Sequence, residues 1–425
     1  ISKTLREFDE LLSETGSTLD VPDNIEISST KWELIPAPHR IAANIPPWPK
    51  PRQKKSTVEA QLKIAIGRIQ LSETTLDEAL ELLSHLTTLP VAVDAEACWR
   101  LGISTNDVLV WESDNKSVGE LFEQLASMLG LTVHIVNRGI LLTDAPPNAE
   151  LVLCSYNVDN LLVGDTNTAD KLANVVINLI AKKTWRPSGG RGTIETRESF
   201  LNVAQSAAVH FEIARFLERL RLARGASLQG LIDVHKVKLQ PRFAPALDRL
   251  DTPTTPSNVQ PTFLTGILRN LGESSDFDIL IDWPSLVAQG WNYETRGTFQ
   301  CREEPFGEAM SRLLAPLDLS FRVLDEDMLV VTTVGNVESK IDIELYSVTG
   351  MLPEQVQQRI YERVRPILGD RLLDKDSGVV LLFDDVSYTV IVAAPQRHQA
   401  EVARTLQRMI AEDKAKSAKE VTTGP

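Results

Sequence analysis

No stretch of this chain is apolar for long enough to cross a bilayer as a helix. A span needs about 20 consecutive apolar residues, whereas the longest apolar stretches, such as Val379 to Phe383, are strand-sized. Basic residues are outnumbered: 44 Lys and Arg stand against 58 Asp and Glu, for a net charge of −14. That balance argues against nucleic acid as a main partner, because phosphate binding requires a basic face that releases counterions. It suits a soluble protein kept apart by mild self-repulsion. Cysteine is scarce. Cys98, Cys154 and Cys301 make neither a disulfide framework nor a metal spacing, allow at most one bridge, and read as small buried hydrophobes. The six histidines (His39, His85, His134, His210, His235, His398) include no i, i+4 pair, and none stands by a cysteine or in an HExxH pattern. No GxSxG elbow is present. No metal, cofactor or enzymatic activity is expected. The chain opens at Ile1 without a start methionine or a signal-like apolar region, which reads as a processed or trimmed product.

What is present is a folded composition, 43% hydrophobic and 24% charged over 425 residues, enough for two to four domains. It also repeats itself, the first thing to look for in a long chain. With Asp94 laid on Asp282, a spacing of 188, Gly102 falls on Gly290 and Gly119-Glu120 on Gly307-Glu308. Leu125, Leu129 and Leu131 meet Leu313, Leu317 and Leu319; Val133, Ile135 and Leu141 meet Phe321, Val323 and Leu329. Upstream, Leu76 to Leu80 corresponds to the region of Phe263 to Ile267 with a slip of about one residue. Downstream, with small gaps, Tyr156-Asn157-Val158 matches Tyr346-Ser347-Val348, Leu201 and Val203 match Val390 and Val392, and Ile213, Leu217 and Leu220 match Val402, Leu406 and Met409.

Periodicity sketches the first unit as helix, strand, strand, helix, hairpin. Leu76, Ala79, Leu80 and Leu83 recur at helical spacing behind Ser72 and Thr74 as caps. Leu89 to Val93 and Asp107 to Glu112 are strands, and Ser117 caps a helix that ends at Gly130. A hairpin turns at Asn137-Arg138-Gly139, matched in the second copy by Asp325-Glu326-Asp327. The second unit reads β-α-β-β-α: strand Leu151 to Val158, helix Thr168 to Lys182, a Gly-rich turn at Ser188 to Gly192, two strands, and a helix from Ala207 to Arg221.

On these residues the first unit resembles the short N-terminal (STN-like) domain of secretins and TonB-dependent receptors. The second resembles a secretin N-domain, carried by Tyr156-Asn-Val-Asp-Asn-Leu-Leu, Trp185, Gly189-Gly190-Arg191-Gly192 and Val203-Ala-Gln, as in secretin-like envelope proteins of planctomycete-type bacteria. The resemblance spans about two thirds of the chain; the second copy has Leu368-Gly369-Asp370 and Ser377-Gly378 in place of the Trp and Gly-Gly landmarks. No segment resembles the secretin β-barrel, so no channel activity is implied. The expected fold class is α+β: two tandem repeats, each an αββαββ unit followed by a βαββα unit. The expected boundaries are 1–65 (N-terminal helix and proline-rich segment), 66–146 and 150–224 (first pair), 225–260 (proline-rich linker), 261–334 and 339–413 (second pair), and 414–425 (flexible tail). Prolines 36–51 and 241–256 mark semi-extended connectors able to wrap neighbouring subunits.

Two loops invite other readings. Ser188 to Gly192 has helix before and strand after, the reverse of a phosphate cradle, and reads as a tight turn. Asp374 to Gly378 lacks the ligands that complete a calcium loop and reads as a solvated hairpin turn. Trp99, Trp111, Trp185, Trp283 and Trp291 are candidate inter-subunit anchors, since aromatics are enriched at interfaces; the plainer reading is that they plug sheet edges. Secretin N-domains form rings by packing side by side. The resemblance therefore implies a non-catalytic structural subunit of the periplasm or cell envelope, partnered by itself and by other envelope proteins. The alternative is a monomeric periplasmic module that recruits a partner by β-strand addition.

Overall fold

Local chemistry sets the first elements. Thr75 accepts a hydrogen bond from the Glu78 N–H while Glu78 accepts from the Thr75 N–H, a capping box that starts helix α2 (Leu76–Thr87). The cap is thus Thr75, not Ser72 or Thr74. Ser117 and Glu120 repeat the device. The computed structural model describes residues 57–422, apart from 137–138, 147, 163–167, 302 and 375. The expected N-terminal helix and the prolines of 36–51 lie outside these residues.

Region I (57–143) runs α1 (Val58–Leu62), β1 (Ala65–Ile66), β2 (Ile69–Thr75), α2, β3 (Val91–Val93), α3 (Ala95–Leu101), β4 (Val108–Ser113), β5 (Lys116–Ser117), α4 (Val118–Met128), β6 (Thr132–Val136) and β7 (Gly139–Thr143). Its strands pair as β1–β5, β2–β4 and β3–β7–β6, with β3 parallel to β7. Region II (152–223) holds β8 (Val152–Asn157), α5 (Ala169–Leu179), β9 (Thr193–Arg197), β10 (Phe200–Gln205) and α6 (Ala207–Ala223), with sheet order β8–β10–β9.

Region III (247–333) runs α7 (Leu247–Leu250), β11 (Pro253–Thr254), β12 (Ser257–Phe263), α8 (Leu264–Glu273), β13 (Asp278–Ile281), α9 (Trp283–Ala288), β14 (Arg296–Gln300), β15 (Glu304–Pro305), α10 (Phe306–Leu314), β16 (Leu319–Val323) and β17 (Met328–Thr333). Helix α11 (Val334–Ser339) leads into region IV (342–422): β18 (Asp342–Ser347), α12 (Val356–Leu368), β19 (Val380–Asp384), β20 (Thr389–Ala394) and α13 (Gln396–Thr422). The pairings are β11–β15, β12–β14, β13–β17–β16 and β18–β20–β19. The chain is an α+β protein of small sheets.

The same bonds occur twice. Ala65 pairs with Ser117 and Ile66 with Lys116, and 188 residues on Pro253 pairs with Pro305 and Thr254 with Glu304. The Leu76 N–H donates to the Asp107 carbonyl as Leu264 does to Thr295, and Ile103 donates to Cys98 as Trp291 does to Leu286. Asp94 caps α3 and accepts from Thr143 Oγ1; Asp282 caps α9 and accepts from Thr332 Oγ1.

Helices α2 and α8 thus keep the spacing of 188 without the expected slip. The slip falls in the hairpin instead. Val133 lies opposite Leu142 and Phe321 opposite Val331, so the last strand is offset by 189 and Leu141 corresponds to Val330, not Leu329. In a strand a one-residue offset exchanges faces. Leu141 and Val330 each pack into the other region's core, while Leu329 lines its own.

Other expectations need correction. Strand β2 and helix α3 were not anticipated. Residues 225–260 are not a free spacer: Val237, Phe243 and Ala246 are buried, and α7 and β11 belong to region III, where Leu250 backs Gly307 as Leu62 backs Gly119. Helix α13 runs on through the polar segment after Asp413 to Thr422.

Candidate assembly surfaces

How the regions already hold one another shows what their surfaces can do. Regions I and III pack reciprocally. Ala92 and Leu141 of the first reach the core of the third, and Leu280, Met328 and Val330 of the third reach the core of the first. The Tyr293 hydroxyl donates to the Val91 carbonyl and accepts from its N–H, both at 2.7 Å. Asp278 accepts from Ser104 Oγ at 3.0 Å and from the Thr105 N–H at 2.9 Å.

Regions II and IV meet differently. One face of α6 lies on the outward face of the β18–β20–β19 sheet, where Leu345, Ile391 and Ala393 join the region II core. Arg219 crosses this contact, donating to the Ile343 carbonyl at 2.6 Å and to Glu344 Oε2 at 2.6 Å, with both side chains 2% exposed. Arg224 pairs with Asp384. Burial works to raise the Asp384 carboxyl, but the hydrogen bonds from Arg224 and Ser387 outweigh it and hold the group below its ordinary value. Among the described residues this contact joins unlike surfaces: the helix belongs to one region and the sheet to the other.

A buried ionic junction ties regions I, III and IV to the segment after α6. Arg242, from the segment after α6, pairs with Glu96 of α3 at 3.0 Å and with Asp342 of β18 at 3.4 Å, and Arg322 of β16 contacts the same two carboxylates. Burial acts to raise the Glu96 carboxyl, yet Arg242 and Arg322 together hold it well below the usual carboxylate range. Burial, with the neighbouring Arg219 adding, pushes Arg215 down to about 10. A cavity of about 860 Å³ opens beside this junction, lined in part by Arg100, Lys182, Glu212 and Arg215.

The five tryptophans are 0–5% exposed, covered by the chain itself. Trp99 is the most connected. Its ring lies 4.9 Å from Arg215 and 4.3 Å from Arg242, edge-on to Phe211, and its Nε1 donates to Asp325 at 3.0 Å. Trp185 donates to the Ile180 carbonyl at 2.7 Å, Trp291 to the Leu317 carbonyl at 3.0 Å, Trp283 lies tilted against Tyr293 with ring centroids 4.1 Å apart, and Trp111 sits in the first core. Trp99 thus lies where several regions meet, whereas Trp111 and Trp185 lie within single cores.

The Gly-rich loop is a tight turn. Gly189 has a φ of +87°, and a Cβ on Gly190 would come within 2.0 Å of the Thr184 carbonyl oxygen. The three cysteines are free thiols, with Cys98 fully buried. His210 accepts or donates at Tyr156 Oη, 2.7 Å away. Among the described residues no group of three or more His, Cys, Asp or Glu is placed to hold a metal.

Sequence reasoning passed over the arginines. Arg215 and Arg219 stand at i, i+4 on α6 opposite its apolar stripe, a spacing that would ordinarily be read as solvated. Their burial comes partly from residues over a hundred positions away, Trp99 over Arg215 and Ile343 at Arg219.

No protein-family model and no curated protein matches the chain. Among solved structures, the enterotoxigenic Escherichia coli GspC-GspD complex from the type II secretion system is similar over 37% of this chain and 99% of that chain, at 14% identity and a TM-score of 0.14. The Salmonella SPI-1 type III secretion injectisome basal body model of InvG, PrgH and PrgK is similar over 81% of this chain at 9% identity and a TM-score of 0.15; the match spans 45% of that chain. Scores this low leave the reading to the geometry above.

Proposed function

We propose that this chain is a non-catalytic structural subunit of a bacterial envelope assembly, formed by duplication of a pair of secretin-type modules whose work is packing against other subunits. The carrying observation is the recurrence of whole hydrogen-bonding patterns at spacings of 188 to 190, down to single side chains. Tyr156 meets His210 beneath one sheet and Tyr346 meets Gln399 beneath the other, and each of those two residues also bonds the first carbonyl of its edge strand. Repeated modules of this size bury their faces by stacking on one another. Buried charges at the junctions meet opposite charges, Arg219 with Glu344 and Arg242 and Arg322 with Glu96 and Asp342, as in structural networks. The residues resembling a secretin N-domain, Tyr156 to Leu162 above all, support a place in the periplasm or envelope.

Cell fractionation with native mass measurement tests this reading. The expected result is recovery with the envelope at a mass of several chains. Recovery in the cytosol as a single chain would overturn it.

A further inference from the structure

We propose that copies of this chain join head to tail, α13 of one copy seating on the exposed outer face of the β8–β10–β9 sheet of the next. The contact repeats between chains what α6 makes with the β18–β20–β19 sheet within one chain. The inference rests on the reading that the chain self-assembles, and it names the surfaces.

The equivalence of the two halves carries it. Helices α6 and α13 begin 189 residues apart, and Ile213, Leu217 and Leu220 face their own sheet as Val402, Leu406 and Met409 face theirs. The opposite faces therefore correspond: Arg215 to Arg404 and Arg219 to Arg408. On α6 both arginines are buried against other regions; on α13 both are exposed, on an open helix surface with Glu401, Gln407 and Ala411.

The sheets show the complementary vacancy. Strand register sets Leu153, Ser155 and Asn202 in the places of Ile343, Leu345 and Ile391, and Glu195 in the place of Leu382. The second set is packed against the region II core that contains α6. The first set faces outward, with Leu153 75% exposed and Phe200 40% exposed at the end of the same face. Glu195, midway along the edge strand β9, lies on that face beside Arg197, and its carboxylate is the group there that can meet an arginine of α13.

Geometry also decides between a second copy and a closed pair. The contact of regions I and III is reciprocal and leaves no unused half. The contact of II and IV joins unlike surfaces, so the duplication leaves an unused sheet at one end and an unused helix at the other. Contacts between unlike surfaces generate rings or filaments rather than two-fold dimers.

Sedimentation velocity on the full-length chain tests this with two variants at exposed positions, Leu153→Glu and Arg404→Glu/Arg408→Glu, each checked for native circular dichroism. The wild-type chain is expected to grow beyond a dimer with concentration. Each variant should lose about 30-fold or more in self-affinity, the size of a hot-spot loss. Mixed together, they should form a 1:1 dimer that grows no further, because each retains the half the other lacks. Wild-type association that both variants leave unchanged would overturn the head-to-tail contact while leaving self-assembly standing. A strict monomer would overturn both.

Discussion

The pair Arg219–Glu344 offers the sharpest test of how regions II and IV are joined. Both side chains are 2% exposed and meet at 2.6 Å. Arg219 also donates to the carbonyls of Ile343 and Lys238, and Glu344 accepts from the Arg242 N–H. Removing one partner strands the other as an uncompensated buried charge, a cost of about 3–5 kcal/mol. Glu344→Met and Arg219→Met are each expected to lose that much. The double variant, Arg219→Met/Glu344→Met, leaves no buried charge unpaired. It forgoes two carbonyl contacts and one N–H contact at about 1 kcal/mol each, so it should cost about 3 kcal/mol, well short of the sum of the singles.

Urea titration reads these differences as midpoint shifts at constant slope, and hydrogen exchange at α6 and β18 assigns them to the junction. The internal control is Arg408→Met, the corresponding position on α13. Being exposed, it should stay within about 0.5 kcal/mol at dilute protein. Additive singles, or an Arg219→Met cost no larger than that of Arg408→Met, would refute the buried-junction account.

Acid should loosen the junction next to it. The Glu96 carboxyl sits well below its ordinary value of 4.5 in the folded chain, so its stabilisation is complete above that value and is lost as pH falls beneath it. The urea midpoint of Glu96→Gln should lie below wild type at pH 7, and the gap should close between about pH 4.5 and the lower folded value; a pH-independent gap would contradict the assignment. Gly190→Ala should destabilise the chain by about 1–3 kcal/mol, the usual cost of overpacking, since its Cβ would meet the Thr184 carbonyl, whereas Gly102→Ala meets nothing and is strained only by its φ of +72°; thermal melts separate the two.

What could be read in advance was whatever short-range pattern determines. The stripes of Leu76 to Leu83 and Leu121 to Leu129, the Ser117 cap and the β-α-β-β-α order of 151–221 are local periodicities, and the structure shows those elements. Helix α3 was missed because its seven residues carry little period; its place is fixed by Arg242 and Asp325, more than a hundred residues away. The displaced slip has a similar origin. A hairpin absorbs an extra residue without disturbing the hydrophobic alternation on either side, so apolar matching alone aligned Leu141 with the wrong face. Trp99 and Arg219 show the limit for sites: a large aromatic and a long cation look like surface features until distant partners enclose them.

Light scattering of the purified full-length chain over a wide range of concentration bears most directly on the central claim. Assembly predicts a mass that climbs from 47.1 kDa to multiples of it as concentration rises. A mass held at that of one chain throughout, under conditions where circular dichroism shows the native fold, would contradict the claim and favour a monomeric binding module.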